Sequence, residues 1–177
     1  MIRSIAAASL IVALLLSHAG LAAEHGSAGS YDCKVTGAAM DIVDIQQVME
    51  AYHHAVVTHD GAGLAALFIP EGGTWLKVLS QGAYARAKGE FAAVSKIRSG
   101  SYAEFAKFVS GSKMSLDPKH ANVRIQSDGA IAAVYFDFVF LIGGKEENRG
   151  SESWQLVKGE DGWRIASITY SANPREP

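Results

Sequence analysis

The C-terminal third of the chain most constrains its fold. From residue 121 onward four segments, "ANVRIQ", "AIAAVYFDFVFLI", "NRGSESWQLV" and "WRIASITYS", are dense in β-branched and aromatic residues. Their separators "SDG", "GGKEE" and "GEDG" are turn chemistry, so the segments read as successive strands of a meander. The earlier part carries helical periodicity instead. Placed at about 100° per residue, Ile42, Ile45, Val48, Met49, Tyr52, Ala55 and Val56 share one arc, with Asp41 as its expected N-cap. Asp60 is placed to cap a short second helix carrying Leu64, Leu67 and Phe68, which "IPEGG" ends. "TWLKVLS" reads as a strand and residues 81–100 as partly loop. Ser101-x-x-Glu104 opens another helix through "SYAEFAKFV". Helices first and strands last predict an α+β domain, with helices packed on one face of an antiparallel sheet.

The beginning of the chain has a different character. Arg3 precedes the apolar run Ile5–Leu16, and the small residues of "SHAGLAA" follow. This is the layout of a signal peptide over residues 1–23, with cleavage expected after Ala22 or Ala23. The run is shorter than the ~20 residues a membrane span needs. The protein is therefore expected to be exported, periplasmic or secreted, with no membrane span in its mature form. Residues 24–40 are small and polar and read as a flexible linker. The single cysteine, Cys33, has no partner for an internal disulfide and reads as incidental. The folded domain is expected over 41–177, ~140 residues, enough to bury about two-thirds of the unfolded surface. The 16 basic and 18 acidic residues speak against nucleic acid as a partner.

"AYHHAVVTHD" (51–60) invites a metal reading, which helical geometry disfavours. Relative to His53, His54 lies at about 100° and His59 at about 240°, so no pair has the i, i+4 alignment of a helical zinc site. Capping or solvated histidines are the expectation, and no metal, nucleotide or flavin motif is present elsewhere.

The segment "YHHAVVTHDGAGLAALF" (52–68) resembles the start of the nuclear transport factor 2-like superfamily, which includes SnoaL-like proteins and ketosteroid isomerases. The matching features are Tyr52, an acid eight positions later at Asp60, and Leu67-Phe68. "HAN", "DGAIAAVYFDFVF", "NRGSESWQLV" and "DGWRIASITYS" continue the resemblance, which spans about residues 41–172. It implies a curved antiparallel sheet wrapped by helices into a cone, a pocket between them, and commonly a homodimer.

In ketosteroid isomerases the helix tyrosine and a protonated acid on a late strand donate to one oxyanion. The resemblance places these roles on Tyr52 and Glu152, with Trp154 along the same strand face as a candidate ligand contact. The base does not carry over, because its positions hold Leu76 and Lys77. Alternation groups Tyr135, Asp137 and Val139 on one strand face and Phe136, Phe138 and Phe140 on the other. With the first group inward, Asp137 is a candidate base, Tyr135 and Val139 are ligand contacts, and the phenylalanines cover a subunit interface. With the faces reversed, the phenylalanines line the pocket. His120 resembles a histidine near the pocket rim of SnoaL-like proteins and is a second candidate base, and Trp75 joins the candidate ligand contacts.

Two functional readings follow. One is a pocket for a small, mainly apolar or heteroaromatic molecule, lumazine-like rings included, with lyase or isomerase chemistry as its most specific form. The other is a non-catalytic homodimeric binding or assembly module with a vestigial pocket. Neither calls for a cofactor.

Overall fold

The structure is a computed structural model that describes residues 35–70 and 73–174, all within one compact unit, Asp32–Pro177. The expected signal peptide, its cleavage site, Cys33 and most of the expected linker lie outside the described residues.

Strand β1 (Val35–Thr36) precedes helices α1 (Ala39–Val57) and α2 (Gly61–Ala65). Then come β2 (Thr74–Leu79), α3 (Gln81–Glu90), β3 (Ile97–Gly100) and α4 (Tyr102–Gly111). The chain ends with β4 (Leu116–Ser127), β5 (Ile131–Ile142), β6 (Lys145–Gly159) and β7 (Gly162–Pro174). Ordered elements thus reach back to Val35, inside the segment read as a flexible linker.

The strands form one curved, unclosed sheet in the order β1-β4-β5-β6-β7-β2-β3. It is mixed rather than wholly antiparallel as expected, because β1 pairs parallel with β4 and β2 parallel with β7. The meander β4–β7 is antiparallel throughout. Its turns follow the sequence chemistry: Gly143 and Gly144 adopt φ of 59° and 75°, which a tight hairpin requires. Pro118 lies in β4 opposite Phe140 of β5, beyond the two residues that β1 pairs, where β4 is an edge strand among the described residues.

Register shifts in β4 between Ala121 and Arg124, in β5 between Phe140 and Leu141, and in β6 between Gln155 and Leu156 bend the strands. The first centres on Asn122, with φ 53°, whose side chain donates to Asp137 Oδ2 at 2.8 Å. At Gly150 a Cβ would lie 2.2 Å from the carbonyl oxygen of Ser171, so only glycine lets β6 and β7 approach there.

Two of the three expected caps form. Asp60 accepts from Gly63 N at 2.8 Å and Ser101 Oγ from Glu104 N at 3.1 Å. Asp41 is not a cap: α1 starts earlier, behind Ala38, and Asp41 is buried in an ion pair with Lys158 Nζ at 2.7 Å. The region expected to be partly loop holds α3, capped by Ser80, and β3.

The core lies between α1, α2, α4 and the inner face of the sheet. Ile45, Tyr52 and Val56 of α1 meet Val134, Phe136, Trp154, Ile165 and Ile168 there. At about 25 cal/mol per Å², each large side chain removed from water in this layer contributes roughly 2–3 kcal/mol. Among the described residues, no helix is long and apolar enough to cross a membrane.

Candidate functional site

A cavity of about 460 Å³ opens between α4 and the inner face of the sheet. Its wall includes Tyr52 from α1, Trp75 from β2, Phe105 and Phe108 from α4, and His120 from β4. Phe138 and Phe140 from β5, Glu152 from β6 and Tyr170 from β7 complete the interior. Sheet register explains this grouping. Glu152 pairs with Phe136 on one side and Tyr170 on the other, so these side chains share the inner face.

Tyr52 stands on the buried stripe of α1 at 5% exposure, with its ring 4.8 Å from that of Trp154 and 6.2 Å from that of Phe105. Among the described residues no hydrogen bond uses its hydroxyl. Burial first, then the neighbouring Glu152 and Tyr170, push its pKa well above the usual tyrosine value. At neutral pH it is a proton donor facing the cavity.

Glu152 is half-buried, and its remaining exposure is to the cavity it lines. The Trp154 indole N–H donates to Glu152 Oε1 at 2.5 Å. Burial raises its pKa to about 7, against the opposing pull of that hydrogen bond. Near neutral pH the acid is therefore part protonated, and in that state it has a proton to donate. Trp154 itself is 0% exposed. It stands behind Glu152 and fixes the carboxyl rather than touching an occupant, a correction to its expected role as a ligand contact.

His120 reaches the cavity wall by alternation with Pro118 along β4, paired with the inward Phe138. Its ring lies 4.5 Å from Phe136 and 6.2 Å from Tyr52. Burial, then the charge of His53, lowers its pKa to about 4, so it is a neutral imidazole at pH 7. His53 keeps 43% side-chain exposure and also meets Asp117 Oδ1 at 3.2 Å. His54 is exposed, as the helical angles require. Among the described residues no group of three His, Cys, Asp or Glu side chains is arranged to hold a metal.

The favoured orientation of β5 is reversed in the structure. Phe136 and Phe138 are buried at 0% and 7%, while Tyr135 is 44% exposed under the guanidinium of Arg124. Asp137 is on that outer face, bonded to Asn122 and, at 3.0 Å, to Ser151 Oγ. Asp137 is therefore no base for the cavity, and Tyr135 and Val139 are no ligand contacts. The physical reason is burial: three phenyl rings fill the core under α1 and α4 better than a carboxylate. The phenylalanine stripe is likewise no subunit interface.

Tyr52, Glu152, His120 and Trp75 do meet at the cavity. Tyr170, Phe105 and Asn148 were not anticipated. Tyr170 was detectable in principle, since it alternates with Ile168 and Ala172 along "ITYSA", and both of these are buried. Trp75 donates to the Tyr170 hydroxyl, and burial raises the Tyr170 pKa. Lys77, at the position where a base was sought, is half-buried; burial and then Arg98 lower its pKa.

No protein-family description and no curated protein matches the chain. Solved structures do. An NTF2-like protein of unknown function from Shewanella baltica OS155 is 18% identical, with 79% of this chain and 99% of that one covered at a TM-score of 0.56. A protein of unknown function from Mycobacterium tuberculosis is 19% identical over 76% and 77%, at 0.55. An NTF2-like protein with a cystatin-like fold from Novosphingobium aromaticivorans is 13% identical over 75% and 82%, at 0.54. The chain has the nuclear transport factor 2-like, cystatin-like α+β fold.

Proposed function

We propose that this chain is an exported, SnoaL-like domain whose cavity binds a small, mainly apolar ring molecule through a carbonyl or similar acceptor. One observation carries the reading: at the floor of an aromatic cavity stand two donors, the unpartnered Tyr52 hydroxyl and the Glu152 carboxyl held by Trp154. Burial keeps the Tyr52 proton in place and leaves Glu152 part protonated near neutral pH, and a donor is worth more there than in water. The apolar run ahead of residue 24 supports export to the periplasm or medium.

Binding is better supported than turnover. Lyase or isomerase chemistry needs a base within reach of the bound molecule. With Asp137 on the far face, His120 is the remaining candidate, and an imidazole with a pKa of about 4 is a weak one.

The test is calorimetric titration with 1-tetralone and 1-indanone beside tetralin and indane, which lack the carbonyl. The ketones are expected to bind roughly 5–10-fold tighter, about 1–1.5 kcal/mol. Tyr52→Phe and Glu152→Leu, which remove the donors, should each erode that margin, whereas Glu152→Gln, whose amide N–H still donates, should largely keep it. Ketones and hydrocarbons binding alike would remove the reading.

The outer face supports a homodimer: the large apolar side chains Ile131 and Tyr135 are 57% and 44% exposed there. Sedimentation checks this. A Tyr135→Asp variant that stays a dimer would exclude this face as the contact.

A further inference from the structure

The cavity wall is electrostatically one-sided. Glu104, Glu147 and Glu152 line it, and among the described residues no lysine or arginine does. His120 adds no positive charge at neutral pH. Glu104, on α4, and Glu147, on β6, are both exposed, whereas Glu152 lies deeper. The rings of Trp75, Phe105, Phe108 and Tyr170 line the same cavity, and an aromatic ring's π-system attracts cations. Two cations, Lys77 and Arg98, reach lining residues electrostatically, Lys77 acting on Glu147 and Arg98 on Tyr170. They pair across β2 and β3, two residues on from Trp75 and Gly100, outside the cavity lining. Part of the Glu147 charge is therefore offset, while neither cation is among the residues that line the cavity.

A second observation points to a ligand independently of these carboxylates. Tyr52 is 95% buried, lines the same cavity and offers a hydroxyl with no protein partner among the described residues. The hydroxyl is not sealed from water: it reaches the open space of the cavity, where it is placed to donate to whatever occupies it.

We infer that the cavity's ligand is an organic cation, an apolar ring body bearing a protonated amine or quaternary nitrogen. The charge is held at the mouth between Glu104, Glu147 and the aromatic faces, and an acceptor group points at Tyr52. This rests on the preceding reading that the cavity is the ligand site, and it adds the charge of the ligand class. The neutral part of the molecule fits an aromatic interior, while the positive nitrogen gains both carboxylate attraction and cation–π contact.

Three probes on one bicyclic frame test it by quenching of tryptophan fluorescence at neutral pH: 1-methylquinolinium, 1-methylnaphthalene and 1-naphthoate. The cation is expected to bind about tenfold tighter than the neutral probe, with the anion weakest. Glu104→Gln and Glu147→Gln should each weaken the cation roughly threefold and leave 1-methylnaphthalene unchanged, and added salt should narrow the margin. Glu104→Gln retains the helix start, because the Ser101 cap bonds the backbone N–H of residue 104.

Equal affinity for cation and neutral probe overturns the inference while leaving the cavity as a ligand site. So does tightest binding of 1-naphthoate, which would assign recognition to Lys77 and Arg98. Variants that weaken cation and neutral probe alike overturn it as well, since they would act through structure. Failure of all three probes to bind overturns this inference and the ligand-site reading together.

Discussion

Glu152 and Asp137 sit on adjacent strands, one residue out of register, and the sheet drives their acidities in opposite directions. Asp137 pairs with Ser151 on the outer face, where Asn122 and Ser151 donate to it and lower its pKa. Glu152, the next residue along, turns inward among aromatic rings and is raised to about 7. The chemistry is one carboxyl in both cases. What differs is the count of donors against the loss of water. The outer acid is a structural acceptor that braces the bulge at Asn122. The inner acid keeps a proton near neutral pH and faces a cavity.

The sharpest way to break this contrast is to remove one ring from each face of β5. Phe136 is 0% exposed beneath Trp154 and His120. Phe136→Ala should cost about 3–5 kcal/mol of unfolding free energy in urea titration. Tyr135→Ala, one residue away, removes a 44% exposed ring resting against Arg124. It should cost under ~1 kcal/mol when measured in the isolated protomer. Comparable losses from the two would mean that the inner and outer faces have been assigned the wrong way round.

Alternation along "AVYFDFVF" establishes that Phe136, Phe138 and Phe140 share a face, but not that the face is inward. That choice depends on what α1 and α4 lay over the strand, a long-range fact that no local window contains. The same limit governs Asp41. It has the composition of a helix cap, yet it serves in an ion pair with Lys158, on a strand far along the chain. Where the signal is local, sequence suffices: Asp60 and Ser101 cap the helices they were expected to cap, and glycines set the β5–β6 hairpin. The parallel pairing of β2 with β7 needs the chain to return over a long crossover, which periodicity does not record. Tyr52, Glu152 and His120 were accessible because they resemble positions of a known framework, and Trp75 only as a large apolar residue on a strand. Tyr170 joins them only through register with Glu152.

The contrast between the two carboxyls can be sharpened by pH. Glu152 has a folded pKa of about 7 against an ordinary 4.5. The folded state therefore holds its proton more tightly than the unfolded chain does. No stability is lost below the ordinary value. The cost grows as pH rises from 4.5 to 7 and is fully present above that. Glu152→Gln removes the ionisation and keeps an oxygen for the Trp154 indole. It should stabilise the protein above pH 7 by at most about 3 kcal/mol, less whatever water in the cavity screens, and by nothing at pH 4.

Asp137 has the opposite sign. Its pKa is lowered from 3.8 by the donors around it, so its contribution is present above that value and is lost as acid titrates it. Asp137→Asn should lower stability slightly at neutral pH, and the gap should close on acidification. Thermal melts of both variants and the wild type between pH 3 and 8.5 check the pair. If Glu152→Gln follows the wild type at every pH, the inner acid is solvated like the outer one, and the cavity loses its neutral donor.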